Sequence, residues 1–94
     1  MTAYFIAEID VNDPAAYEPY KKAASEAIAR HGGKYIVRGG KSMSLEGAAP
    51  KRLVVLEFPS LDAAKRFYES ADYQAAIKLR KKAAASSRIF LVES

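Results

Sequence analysis

The sequence predicts an α+β domain in which one antiparallel sheet of four strands carries two helical segments on a single face. Three observations support this. Apolar residues alternate with period two in short runs. They recur every three or four residues in longer ones. The runs follow one another as strand, helix, strand, strand, helix, strand. Residues 3–10 are the first strand: Ala3, Phe5, Ala7 and Ile9 form a wholly apolar face, and Tyr4, Ile6, Glu8 and Asp10 a mixed one. Asn12-Asp13-Pro14 then turns the chain into a helix, with Asp13 capping and Pro14 at the first helical position. Tyr17, Tyr20, Ala24, Ile28 and His31 share one face of that helix. Pro19 has no N–H to donate, which predicts either a separate first turn or a helix starting near Glu18. Gly32-Gly33 ends the helix, one of the two supplying the left-handed cap.

Lys34 to Arg38 is a short second strand, interrupted by Gly39-Gly40, and residues 42–47 offer a continuation past a bulge or kink. Ala48-Ala49-Pro50-Lys51 is the connection to the strongest strand, Arg52 to Phe58, which Pro59 stops. Ser60 caps a helix with Leu61, Ala64, Phe67, Tyr68 and Ala71 facing inward. Asp72 caps a second helical piece from Tyr73 to Ala85, with Tyr73, Ile77, Arg80 or Lys81, and Ala84 on one side. Arg88 to Val92 is the last strand.

Short hairpins and right-handed crossovers arrange this βαββαβ order as a ferredoxin-like unit, with an antiparallel sheet of order 4-1-3-2. Two helices cover only one side of such a sheet. Yet the strands are apolar on both, with Ile6 opposite Phe5 and Val55 opposite Val54. Leaving the second face wet would forfeit about 25 cal/mol per Å² of apolar surface. A second copy of the chain, packed sheet on sheet, is the expected cover, so a homodimer is predicted.

Composition narrows the function classes. The 94 residues fit one compact domain spanning 1–94. There is no cysteine, which removes disulfides, thiolate nucleophiles and iron–sulfur clusters, and a single histidine leaves little for a metal site. No metal and no cofactor are therefore expected. No apolar run approaches the ~20 residues of a membrane span, and the N-terminus lacks a signal-peptide pattern, so a cytoplasmic address is the expectation. The net charge of +4 includes a dense run, Lys78 to Lys82, inside an alanine-rich helical segment, where it reads as a solvated face near a helix C-terminus. Nucleic-acid binding is disfavoured, because Arg52 to Phe58 lacks the stacking aromatics an RNA-reading sheet of this topology needs. Gly39-Gly40 follows a strand without opening a helix and belongs to no nucleotide cradle.

Three segments in order are distinctive: Gly32 to Gly40, Arg52 to Ser60, and Phe67 to Gln74. Together they resemble the domain-of-unknown-function family 1330 of the dimeric α/β-barrel superfamily, over nearly the whole chain. Ala71 and Asp72 depart from the proline and glutamate common there, which weakens the enforced break between helical pieces and removes no functional group. The resemblance implies a ferredoxin-like protomer and a dimeric α/β barrel whose sheets enclose a cavity. Its superfamily includes cofactor-free monooxygenases, isomerases and haem enzymes, so it leaves the chemistry open.

Topology gathers candidate polar residues. Glu8 and Asp10 at the end of the first strand lie near Arg88, Arg52 and Arg38, a charged rim that reads either as an anion grip or as an ion-pair network. Glu57 interrupts an apolar strand on the dimer-facing side near Tyr4. It is either a half-buried general base or a hydrogen-bonded interface carboxylate. Tyr68, Tyr73 and Gln74 fall at the junction of the helical pieces, where they line a cavity mouth or fill core. His31 suits a helix C-terminus better than catalysis. The leading expectation is a small organic, anionic ligand held in a pocket by Arg38, Glu57, Tyr68 and Tyr73. The alternative is a non-catalytic structural or regulatory dimerisation module.

Overall fold

A computed structural model describes residues 1–94. The elements are β1 (Ala3–Val11), α1 (Pro14–Arg30), β2 (Lys34–Arg38), β3 (Arg52–Phe58), α2 (Leu61–Glu69), α3 (Ala71–Ala83) and β4 (Ala84–Glu93). The strands make one antiparallel sheet, β2-β3-β1-β4, which is the expected order read from its other edge. Phe5 lies opposite Leu56 and Leu91, and Ala7 opposite Val54 and Ile89, so one parity of each strand faces the helices. There Phe67, fully buried, meets the rings of Phe5, Phe58 and Tyr73 at centroid distances of 5.4, 5.2 and 4.4 Å. Edge-to-face and tilted contacts of this kind add to the burial of large aromatic area, and they tie α2, α3 and the sheet into one core.

Local sequence explains most of the boundaries. Asp13 caps α1 by accepting from the Ala16 N–H at 3.1 Å, with Pro14 at the first helical position. Contrary to both expectations, a separate first turn or a start near Glu18, α1 runs unbroken from Pro14 through Pro19. Pro19 and Ala15, whose carbonyl loses its donor, are both exposed, so water can satisfy that carbonyl. Gly32 supplies the left-handed turn, with φ of 76°. Gly33 serves closeness instead: a Cβ there would stand 2.7 Å from the Phe58 ring.

Three expectations give way. Residues 42–47 form no strand, because left-handed backbone at Gly39 and Gly40 (φ of 70° and 93°) leads the chain out of the sheet. Ser70, not Asp72, caps α3: its hydroxyl donates to the Phe67 carbonyl at 2.6 Å and accepts from the Tyr73 N–H at 3.4 Å. One residue thus closes α2 and opens α3, and Asp72 falls in the first turn. Finally, β4 begins at Ala84 rather than Arg88. The alanines of 83–85 favour helix by propensity, but Asn12 and Asp13 both donate to the Ala83 carbonyl and Val11 pairs with Ala84.

Both helical layers lie on one side, giving a slab 17 Å thick. The other face of the sheet carries Tyr4, Ile6, Val55, Phe90 and Val92 with no covering layer, and Phe90 and Val92 are 40% and 43% exposed. Apolar side chains on both faces are therefore a property of the folded protomer.

Candidate functional site

A chamber opens between α1 and the β2-β3-β1 side of the sheet. Alternation along β1 and β3 gives its apolar walls, Phe5, Ala7, Ile9, Val54 and Leu56, and the α1 stripe supplies Ala24 and Ile28. Its buried end is formed by the phenols of Tyr20 and Tyr73, and its open end by Lys21, Arg38 and Arg52. Those three cations also line a wider polar antechamber with Lys22, Ser25 and two carboxylates, Glu18 and Glu26. The enclosed part holds about 30 Å³, room for one or two waters, and the antechamber about 550 Å³. A single aromatic ring exceeds the enclosed part several-fold and enters it only if the side chains lining it move.

The mouth is held by specific contacts. Tyr35 and Arg38 both reach the helix side because Ile36 is an extra residue in the β2–β3 ladder, which shifts register between Tyr35 and Val37. Ser25 of α1 joins them: its Oγ lies 3.0 Å from the Tyr35 hydroxyl and accepts from Arg38 Nη2 at 3.0 Å. The Arg38 guanidinium stacks over the Tyr35 ring, 4.3 Å from its centroid. Arg52 is opposite Ile9 and so points to the helix layer, 5.5 Å from the Tyr17 ring centroid, with its Nε buried and unpartnered. Gly39 makes that placement possible, since a Cβ on it would collide with Arg52 Nη1. Neither Arg38 nor Arg52 pairs with a carboxylate, whereas Lys21 reaches Glu18 at 3.1 Å.

Behind the apolar walls lies a second polar group. Tyr20 and Tyr73 hydroxyls are 2.9 Å apart, and Arg80 donates from Nη1 to the Tyr73 oxygen at 3.0 Å. Arg80 is only 6% exposed and its Nε has no partner. Burial pushes the Tyr73 phenol well above its ordinary range, against the pull of Arg80. Tyr17 is likewise pushed up to about 12, chiefly by burial and next by Tyr20. The chamber wall contains no carboxylate and no imidazole, only hydroxyls and cations among its polar groups. Hydroxyls and cations of this kind are hydrogen-bond donors, complementary in charge to an oxyanion.

Of the four residues nominated from sequence, Arg38 and Tyr73 share this chamber. Tyr73 is at its buried end, 1% exposed, and not at a mouth. Glu57 is on the opposite face, with Tyr4 and Lys34 as its cross-strand neighbours. Tyr68 is 37% exposed rather than inward, bordering a shallow apolar hollow between α2 and β4 with Phe90. Gln74 is exposed and donates to the Tyr68 carbonyl. The expected charged rim also divides. Glu8, Asp10 and Arg88 stay on the uncovered face, with Arg88 3.6 Å from Glu8 and Ser86 donating to Asp10, while Arg38 and Arg52 face the helices. His31 ends α1 as expected, and its Nε2 lies 3.2 Å from Asp72. Lys78, Lys81 and Lys82 are solvated, but Arg80 within that run is not.

Tyr20, Lys21, Ser25 and Arg80 were not nominated. Lys21 and Ser25 are one helical turn apart, each one position past the buried Tyr20 and Ala24, and so form the polar border of the α1 stripe. Arg80 falls at the helical spacing of Tyr73, Ile77 and Arg80, a charge set into an apolar stripe.

Known structures repeat the fold. A protein of unknown function from Rhodopseudomonas palustris superposes with a TM-score of 0.78 at 21% identity, over 99% of this chain and 82% of that one. A dimeric ferredoxin-like protein of unknown function from Thermobifida fusca gives 0.70 at 19% identity, over 100% and 92%. SnoaB, a cofactor-independent oxygenase from Streptomyces nogalater, gives 0.66 at 14% identity, over 99% and 92%. No curated protein matches the chain in sequence. No helix is long and apolar enough to cross a membrane. Residues 2–94 match the domain of unknown function DUF1330, and the chain belongs to that family.

Proposed function

We propose that the chain is a homodimeric small-molecule-binding protein whose ligand is a small planar carboxylate or related oxyanion, taken into the chamber between α1 and the sheet. The observation that carries this reading is the pairing of an apolar, tyrosine-ended chamber with Arg38 and Arg52 at its mouth, neither of them neutralised by a carboxylate. Guanidinium groups held by Ser25, Tyr35 and Gly39 are preorganised for a two-pronged grip on such a group. The uncovered sheet face supports the dimer, as do solved relatives of the same fold described as dimeric. Glu57 and Tyr68 then serve assembly and the hollow beside β4 rather than this ligand. The oxygenase of similar fold shares 14% identity, which carries over no chemistry.

The test is a thermal-shift comparison of benzoate with benzamide, which share shape and differ in charge. Benzoate at a hundredfold excess over its dissociation constant stabilises by about 2.7 kcal/mol. Benzamide gives little, and Arg38→Ala removes most of the difference. Equal responses to both compounds, or none to either, would count against the reading.

A further inference from the structure

Hydrogen counting at the buried end of the chamber goes further than anion capture. Arginine only donates, so the Tyr73 oxygen accepts from Arg80. Tyr20 and Tyr73 contribute two phenolic hydrogens, and one of them lies between the two oxygens. Neither hydroxyl donates to any protein acceptor beyond this pair. Whichever way the shared hydrogen points, one phenolic hydrogen is left with no protein acceptor, and both phenols line the chamber. Arg80 stands behind them as a cation 94% shielded from solvent, with no carboxylate to neutralise it. A buried charge without a counter-ion is costly to keep, and its field acts on whatever sits in the chamber.

Resting on the proposed anion-binding role, we infer that Tyr20 and Tyr73, backed by Arg80, form an oxyanion subsite for the ionised phenol or enol oxygen of a single-ring or similarly small ligand. The available phenolic hydrogen donates to that oxygen. Arg80 acts through Tyr73 and is a positioning residue, whereas Tyr20 and Tyr73 touch the ligand. Arg38 and Arg52 at the mouth hold a second acidic group, so the ligand class is a small compound with a carboxylate at one end and an enolisable or phenolic oxygen at the other. Tyr20 and Tyr73 are both buried away from bulk solvent, which makes their donors stronger than they would be at the surface.

The probe is 4-hydroxy-3-nitrobenzoate, whose phenolate absorbs visibly, titrated with the full-length protein and followed by absorbance across pH while binding is measured separately by calorimetry. The expected result is a bound probe that ionises at a pH lower by about one unit or more than the free probe. The double variant Tyr20→Phe/Tyr73→Phe, which leaves no phenolic hydrogen at that end, and Arg80→Met remove that displacement and with it about tenfold of the affinity for the ionised probe, and circular dichroism checks that each variant is folded. Arg38→Ala weakens binding and leaves the displacement of the bound probe in place. Binding with an undisplaced ionisation overturns the subsite and leaves the anion-binding reading standing. So does a displacement that survives in a folded Tyr20→Phe/Tyr73→Phe variant or, where that double variant does not fold, in Arg80→Met. Absence of binding overturns both.

Discussion

Replacing Tyr73 by phenylalanine isolates the energetics of the buried phenol–guanidinium group. Arg80 is 6% exposed, pairs with no carboxylate, and donates to the Tyr73 hydroxyl at 3.0 Å. A hydrogen bond to a charged group contributes about 1.5–3 kcal/mol, and its loss here also strands the cation. Tyr73→Phe should therefore destabilise the fold by about 2–4 kcal/mol. Arg80→Met removes the charge itself and leaves the Tyr20–Tyr73 bond intact, so its effect on an otherwise unchanged chain should lie near zero. In the Tyr73→Phe background the same Arg80→Met change should restore about 1.5–3 kcal/mol, because it removes a stranded charge. The assay is urea unfolding followed by circular dichroism for the four proteins, at one fixed protomer concentration so that association does not enter the comparison. Simple additivity, with Arg80→Met equally mild in both backgrounds, would refute the claim that Tyr73 holds a buried cation.

Gly39→Ala should cost about 1–2 kcal/mol for left-handed backbone and also displace Arg52, weakening benzoate binding; Gly40→Ala, with φ of 93° and nothing near its Cβ, should cost stability alone, and calorimetry separates the two. Asp72 is held well below the usual carboxylate range, first by the Ser70 hydroxyl and then by Arg30, 2.6 Å away, and His31. A lowered carboxyl contributes stability present above the unfolded value, near pH 4, and lost as pH falls toward its folded value. Asp72→Asn should therefore flatten the acid limb of a melting-temperature profile below pH 4, and an unchanged limb would exclude this link between α1 and α3. Tyr17, raised to about 12, works in the opposite direction: its contribution is complete below pH 10 and is lost between 10 and 12. Tyrosinate absorbance should show this ring ionising only with alkaline unfolding, whereas ionisation near 10 in the folded protein would contradict its burial.

Strand order, the capped start of α1 and the doubly apolar sheet were legible because each depends on local pattern. Asp13-Pro14 is a cap whatever surrounds it, and the parity of Phe5 against Ile6 fixes two faces at once. Parity also separates Arg52 from Glu57, although the rim reading placed sheet-end charges together by edge alone. Arg38 was harder. A bulge at Ile36 reverses the faces of the residues after it, and nothing in Lys34-Tyr35-Ile36-Val37-Arg38 announces one. Arg80 sits in a cationic run whose composition reads as solvated; helical spacing leaves Arg80 and Lys81 as alternatives for the inward stripe, and the packing of α1 against α3 selects Arg80, turned toward Tyr73. Tyr20 reads as stripe filler for the same reason: its hydroxyl gains meaning from a partner 53 residues away. The misread start of β4 has a similar origin, since β1 recruits Ala84 against its own helical preference.

Entry of an anion between α1 and the sheet, past Arg38 and Arg52, is tested by a benzoate titration of isotope-labelled protein followed by amide and guanidinium chemical shifts. Saturable changes should cluster on Lys21, Ser25, Arg38, Arg52 and Val54, spread to Tyr20 and Tyr73, and spare the uncovered sheet face. Changes centred on Glu57, Ile6 and Phe90 instead, or none at millimolar benzoate, would contradict it.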